Sequence, residues 1–341
     1  MTRWGLSAGR ALSLTDLGAR VPQPMKPTAR RLRDVAQGTW PDAVADWRLS
    51  RTTRHPETFA EKVLYRSAFD RRPILTRLVD KVAVRDYVTD RLGAGHVADL
   101  IGVYGSAGSV PWRSLPREFV VKASHGSGAV VVVWDGAPVA ARLPASARFV
   151  GWDRYGIRPE HAAPARLQSL AEKWLTLNYH HGPGRLPEWA YRDVRPQILV
   201  EAVIPGEGAA LPLDYKCFVF DGVCRLFYVV GGRFADHQIV VFHADGTPAD
   251  VHVVHRRPAT VPVLADNWRE IVAAAEELGR GLDFARVDTY PTPGGFVVGE
   301  MTMYHDAGRN GWEPAEFDRE IGSWWTLPDG DTLRAPFAVR H

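Results

Sequence analysis

The sequence predicts an α+β protein, and three observations carry that expectation. Helical periodicity is confined to separate blocks at 56–92, 164–181 and 267–279. An Asp221-Gly222 pair interrupts an alternating apolar run, DYKCFVFDGVCRLFYVV, which is a hairpin signal. A second hairpin pattern surrounds Pro293-Gly294-Gly295 in FARVDTYPTPGGFVVGEMTMY. Blocks of helix and of mostly antiparallel strand suit α+β lobes better than a doubly wound sheet.

Residues 1–50 are rich in Arg, Pro and Trp with weak periodicity, which predicts an N-terminal extension. In 56–92, Phe59, Val63, Leu64, Val82, Tyr87 and Val88 recur at helical spacing. Residues 119–134, FVVKASHGSGAVVVVW, read as two short strands around a glycine-rich turn. Leu167, Leu170 and Trp174 mark one face of a helix over 164–181, and Gln197 to Ile204 reads as a strand. With a two-residue loop at Asp221-Gly222, Cys224 faces Val219 and Cys217 faces Leu226. That diagonal placement is poor for a disulfide, so both cysteines are expected as small core residues. Strand-like alternation continues over 239–256. Asn267 stands where a cap belongs, with Glu270 three residues on and a stripe of Trp268, Ile271, Val272, Ala275 and Leu278.

Composition excludes several classes. The chain has 341 residues, 45% hydrophobic and 24% charged, which is globular rather than disordered or collagenous. A net charge of +3 gives little support to a nucleic-acid partner. No apolar run reaches the ~20 residues a membrane span needs. No signal-peptide h-region stands out, so a cytoplasmic protein is expected, with peripheral membrane contact through the N-terminal arm left open. The histidines show no zinc spacing, and no G-x-S-x-G elbow occurs. Of 42 basic residues only six are Lys, at 26, 62, 81, 122, 173 and 216. A Lys retained in so Arg-rich a chain marks a place where a compact ammonium is wanted.

Lys122 ends an apolar strand just before His125-Gly126-Ser127-Gly128. Either this is an ordinary flexible turn, or its backbone N–H groups and the Ser127 hydroxyl meet phosphate oxygens beside the ammonium. In the second hairpin a three-residue loop puts Asp288 opposite Glu300, with Arg286 on the same face. Facing carboxylates repel unless a cation intervenes. Either a hard cation such as Mg²⁺ joins them, or Arg286 neutralises one and water solvates the other. Asp214 and Lys216 share a strand face, and Glu201 closes the apolar run 198–200. Such an acid either bonds a ligand or is an exposed strand end.

Taken in order, PETFAEK, LVDKVAVRDYV, FVVKASHGSG, KWLTLNYHH with EWAYRDVRPQILVEAVI, DYKCFVFDGVCRLF, GGRF, and FARVDTY with VGEMTMY resemble the TupA-like branch of the ATP-grasp superfamily. The resemblance runs from Pro56 to Trp325, about four fifths of the chain. It implies two α+β lobes clasping ATP, with a mainly helical N-terminal extension. The expected boundaries are an extension at 1–55, a helical subdomain at 56–118, lobe 1 at 119–205, lobe 2 with the metal site at 206–325, and a tail at 326–341. By resemblance, Lys122 reaches the α- and β-phosphates, and Gly126, Ser127 and Gly128 form the mobile loop over them. Glu201 lies near the adenine, Asp214 takes ribose hydroxyls, and Lys216 meets phosphate. Asp288 and Glu300 resemble the ligands of Mg²⁺ (or Mn²⁺), and Arg286 the arginine that stabilises the transferring group. Lys81 is either a second phosphate lysine or a helix stabiliser.

Thr302 stands where many ATP-grasp sites carry Asn, and His305-Asp306-Ala307-Gly308 stands where the branch usually has Pro-Gly-Ser-Gly. Arg233, Thr302, His305 and Asp306 are therefore candidate substrate residues, with plain loop polarity the alternative for the last two. The resemblance implies a carboxylate–amine ligase with small-molecule, peptide or glycan substrates, in cell-surface polymer or secondary-metabolite synthesis. A kinase on the same scaffold and a non-catalytic nucleotide-binding component of a polysaccharide system are the alternatives.

Overall fold

The computed structural model describes residues 55–180, 188–206, 208, 210–232, 234, 238–253, 261–309 and 311–329. The expected extension at 1–55, bar His55, lies outside these residues, as do Arg233 and most of the tail. All described residues fall in one compact unit, Leu49–His341.

Thr58 starts the first helix, α1 (Phe59–Phe69). Its hydroxyl accepts from the Glu61 amide at 3.2 Å, and the Glu61 carboxylate accepts from the Thr58 amide at 3.0 Å. This capping box is the physical content of PETFAEK. Helix α2 (Pro73–Val79) begins on a proline, whose missing N–H needs no partner there. Helix α3 (Ala83–Leu92) ends at Gly93, with φ of +93°.

Strands β1 (Leu100–Tyr104), β2 (Phe119–Ala123), β3 (Val130–Val133) and β4 (Arg154–Ile157), helix α4 (Pro164–Leu175) and strand β5 (Ile198–Glu201) build the first lobe. Its sheet has the order β1-β5-β2-β3-β4, antiparallel except for the parallel β3–β4 pair. Leu167, Leu170 and Trp174 of α4 bury against Val121, Val131, Ile198 and Val200, the apolar stripe the sequence shows. The helix stops at Leu175 rather than 181, and the strand spans Ile198–Glu201 rather than 197–204.

The second lobe contains β6 (Asp214–Phe220), β7 (Val223–Gly231), β8 (Gln238–His243), β9 (His252–Val253), α5 (Trp268–Gly279), β10 (Phe284–Thr292), β11 (Gly295–Thr302), β12 (Trp312–Glu313) and α6 (Glu316–Ser323). Its antiparallel sheet runs β11-β10-β6-β7-β8, and β12 pairs with β9. No described helix is long and apolar enough to cross a membrane.

Two register expectations change. Val219 faces Cys224 as expected, but a bulge then sets Cys217 against Phe227, not Leu226. Both thiols are free and buried. In the second hairpin Thr292 pairs with Gly295, so the loop has two residues rather than three. A bulge at Gly299 adds the residue back, and Asp288 still faces Glu300. A third expectation fails locally. Asn267 precedes α5 but its side chain makes no cap bond; its amide donates to the Gly295 carbonyl at 2.5 Å.

One face of β6 and β10 changes character along its length. Phe218, Phe220 and Phe284 lie under α1, where Phe59 meets their rings at 5.1–6.1 Å. Further along the same face come Lys216, Asp214, Arg286 and Asp288. Two basic residues pin α1 down. Arg66, 1% exposed, donates to the Phe284 and Met303 carbonyls at 3.0 Å and to Asp283 at 2.6 Å. Lys62 donates to the Gly322 and Trp325 carbonyls at 2.9 and 2.6 Å, capping the end of α6. This retained Lys therefore does structural work.

Candidate active site

A cleft of about 360 Å³ lies between the two sheets, within the size range of small-molecule sites. Apolar side chains line one part of it: Val120, Val130 and Val132 from the first sheet, Leu213 and Phe234 from the second lobe. Charged groups line the rest: Lys81, Lys122, Arg154 and Glu201 on one side, Asp214 and Glu300 on the other.

Strand alternation aims Lys122 into the cleft from a sheet whose other face is core. Its Nζ lies 2.5 Å from Glu201 Oε2, and Arg85 Nη1 lies 2.7 Å from Glu201 Oε1. Glu201 is buried with one cation on each oxygen, which answers its desolvation cost. Arg85 also donates to the Ala98 carbonyl at 2.7 Å, so α3 holds Glu201 in place.

The glycine-rich segment is seated rather than free. Ser124 bonds Arg195 and Gln197 across the lobe, and His125 Nε2 sits 3.2 Å from the Trp174 carbonyl. A Cβ at Gly126 would run into the Trp152 and Tyr179 rings, and one at Gly128 into the Trp152 carbonyl. Gly128 has φ of +88° as well. Gly128→Ala is therefore expected to cost about 1–3 kcal/mol through strain and collision. Denaturant unfolding would check it; a wild-type midpoint would contradict this packing.

Lys81 bridges the lobes. Its backbone N–H donates to the Ser124 carbonyl at 3.2 Å and its ammonium to the Gly126 carbonyl, while Glu300 Oε2 is 3.9 Å away. Burial pushes the Lys81 pKa down, and Glu300 opposes that shift.

Asp288 is fully buried at the centre of the second lobe's charges. Arg286 Nε donates to its Oδ1 and Nη2 to its Oδ2, both at 2.7 Å, and Lys216 donates to Oδ2. Burial pushes the Asp288 carboxyl up, but Arg286 and Lys216 outweigh it and hold it well below the usual carboxylate range. Lys216 also lies 3.0 Å from Asp214 Oδ2. Glu300, opposite Asp288, keeps 29% side-chain exposure and faces the cleft. Arg286 Nη2 is 3.7 Å from Glu300 Oε1 and donates to Thr302 Oγ1 at 2.9 Å.

His305 lies behind Arg286 and does not line the cleft. It is 2% exposed, its Nδ1 is 2.7 Å from Arg286 Nη1, and its ring packs on Phe218 at 4.8 Å. Asp306 is exposed beside it, in the left-handed region with φ of +43°. The structure thus gathers Lys81, Lys122, Gly128, Glu201, Asp214 and Glu300 on the cleft wall, with Lys216, Arg286, Asp288 and Thr302 adjoining. Arg85, Arg154, Trp152 and Tyr290 are neighbours that the sequence reading missed. No spacing singles out Arg85, one Arg among 36; Tyr290, on the cleft wall, sits in the FARVDTY segment itself.

Burial drives the His305 pKa down to about 4, with the Arg286 charge adding to it against Asp306. Lys216, Asp288 and the Tyr228 hydroxyl also face the ring. The unfolded imidazole takes a proton near pH 6.5, the native one only near pH 4. Above pH 6.5 the group contributes no pH dependence. From 6.5 down to about 4 it lowers stability by up to ~1.4 kcal/mol per pH unit. Denaturant midpoints over that range should fall less steeply for His305→Asn than for wild type; parallel curves would refute the shift.

These features define a two-lobed α+β protein with a charged cleft between its sheets. Residues 161–325, just under half of the chain, match the family model described as TupA-like ATPgrasp. No curated protein matches the chain. Among solved structures it is similar to the ATP-grasp ligase PsnB complexed with minimal precursor, at 10% identity and TM-score 0.34, over 68% of this chain and 54% of that one. It is similar to D-alanine--D-alanine ligase from Bacillus anthracis complexed with ATP, at 13% and 0.34, over 68% and 56%. D-cycloserine synthetase DcsG matches at 17% and 0.36, over 74% and 71%. The chain spans little more than half the length of the first two.

Proposed function

We propose that this protein is an ATP-dependent carboxylate–amine ligase. The observation that carries the reading is the Asp288–Glu300 pair, facing in register beside Arg286, with Glu300 on the wall of the cleft and Asp288 and Arg286 buried next to it. The apolar wall suits a flat base, Asp214 suits ribose hydroxyls, and Lys122 and Lys216 suit phosphate oxygens. The donor set also fits a hard divalent cation, since Glu300 offers exposed carboxylate oxygens and an ammonium already sits on Asp288. Asp288 and Glu300 would hold Mg²⁺, which would supply charge neutralisation at the β- and γ-phosphates.

A substrate carboxylate would attack the γ-phosphorus, releasing ADP and forming an acyl phosphate. An amine would then attack the acyl carbon and expel phosphate, leaving an amide. Lys122 and Lys216 would bind and orient the phosphates, and Arg286 would stabilise charge on the transferring group. The seated glycine segment would help keep water from the acyl phosphate.

The test is incubation with ATP, Mg²⁺ and panels of acids and amines, followed by product analysis. ADP and free phosphate in step with a new amide support the ligase. A phosphomonoester would replace it with a kinase, and ATP binding without turnover of any acceptor would favour a non-catalytic nucleotide-binding role.

A further inference from the structure

Arg286 has five N–H groups, and four are engaged by the protein. Nε and Nη2 hold the two oxygens of Asp288 at 2.7 Å, Nη2 also meets Thr302 Oγ1 at 2.9 Å, and Nη1 meets His305 Nδ1 at 2.7 Å. The second Nη1 N–H has no protein acceptor among the described residues. A guanidinium only donates, so His305 Nδ1 must carry a lone pair. The imidazole is then neutral, with its proton on Nε2, which lies 3.5 Å from the Tyr228 hydroxyl.

A neutral histidine pressed against a buried cation is an expensive way to fill space. Phe59 and Phe218 surround the ring at 5.8 and 4.8 Å, so a leucine or phenylalanine would suit the packing alone. The backbone just after it is costly too: Asp306 and Ala307 follow with φ of +43° and +54°. What the imidazole adds is an acceptor at the end of the guanidinium remote from Asp288. The paired bonds to Asp288 fix one edge but let the plane rock about that edge. The Nη1 bond stops the rocking and leaves a single N–H to offer.

We propose that His305 is a positioning residue for Arg286, fixing the guanidinium so that one Nη1 N–H is presented to an oxygen of the transferring phosphoryl group. This rests on the ATP-dependent reading of the cleft and assigns His305 a role other than substrate contact.

The test uses the full chain with Mg²⁺ and compares binding of ADP alone with ADP plus vanadate, a mimic of the transferring phosphoryl group, so no acceptor needs to be known. His305→Ala should bind ADP within about twofold of wild type, because His305 is not on the cleft wall. Its binding of ADP with vanadate should weaken about 10- to 100-fold, the scale for losing a residue that orients an active group. His305→Asn, whose Oδ1 replaces the Nδ1 acceptor, should recover most of that loss. Vanadate binding unchanged in His305→Ala, or equally weak in His305→Asn when both melt like wild type, overturns the proposal. If His305→Ala does not fold, ¹⁵N spectra of the wild-type imidazole decide, since a proton on Nδ1 also overturns it. Should no acid–amine pair be ligated while the vanadate pattern holds, the ligase reading fails and the His305 assignment stands. No vanadate-dependent binding by wild type would remove both.

Discussion

Glu300→Gln is expected to slow ADP release by about 10²–10³-fold while changing unfolding free energy by less than about 1 kcal/mol. The two effects separate because of where the carboxylate sits. Glu300 lines the cleft and keeps 29% exposure, and its nearest cations, Arg286 and Lys81, are 3.7 and 3.9 Å away. Neither is close enough for a strong bond, so the fold loses little when the charge goes. A hard cation or a triphosphate assembly would lose an anionic oxygen that the amide cannot replace. Asp288 would not serve this test, because its removal strands Arg286 and Lys216 in a buried setting. Wild-type ADP release by Glu300→Gln at saturating ATP and Mg²⁺ would sink the metal assignment.

Arg66→Ala is expected to destabilise the protein by about 3–5 kcal/mol, the cost of leaving a buried charge network incomplete. Arg66 reaches from α1 to the start of β10, to the Met303 carbonyl after β11, and to Asp283. Its guanidinium also lies 4.4 Å over the Trp325 ring. Arg72 and the Trp325 indole would still hold Asp283, at 2.7 Å each. The two carbonyls would lose their donor, and a cavity would open beneath α1. A denaturant titration should show the loss in midpoint with little change in slope. A loss below about 1 kcal/mol would mean that Lys62 and the phenylalanine contacts hold α1 without Arg66.

Some of this was legible from short-range pattern. Alternation and turn residues located both hairpins, because a period of two and an Asp-Gly or Pro-Gly pair are local properties. The Asp288–Glu300 register came out as expected by a different route, a shorter loop plus a bulge at Gly299. That exchange was not readable, since a bulge depends on what the neighbouring strand demands. The Cys217 partner moved for the same reason. Asn267 looked like a cap, but Gly295, 28 residues on, offers its amide a carbonyl that the helix does not match.

Local spacing was enough for the α+β class, the helix stripes and the face shared by Arg286 and Asp288. These follow from spacing within one element or one hairpin. What each charge touches was set by the packing of distant elements. That packing turned Lys62 into a cap for α6, gave Lys122 and Arg85 a common acid in Glu201, seated Gly126 and Gly128 on Trp152, and put His305 behind Arg286. Those partners lie tens to hundreds of residues apart in the chain. The energy of a charge depends on burial and on neighbours within a few ångströms, and neither exists until the two sheets are in place.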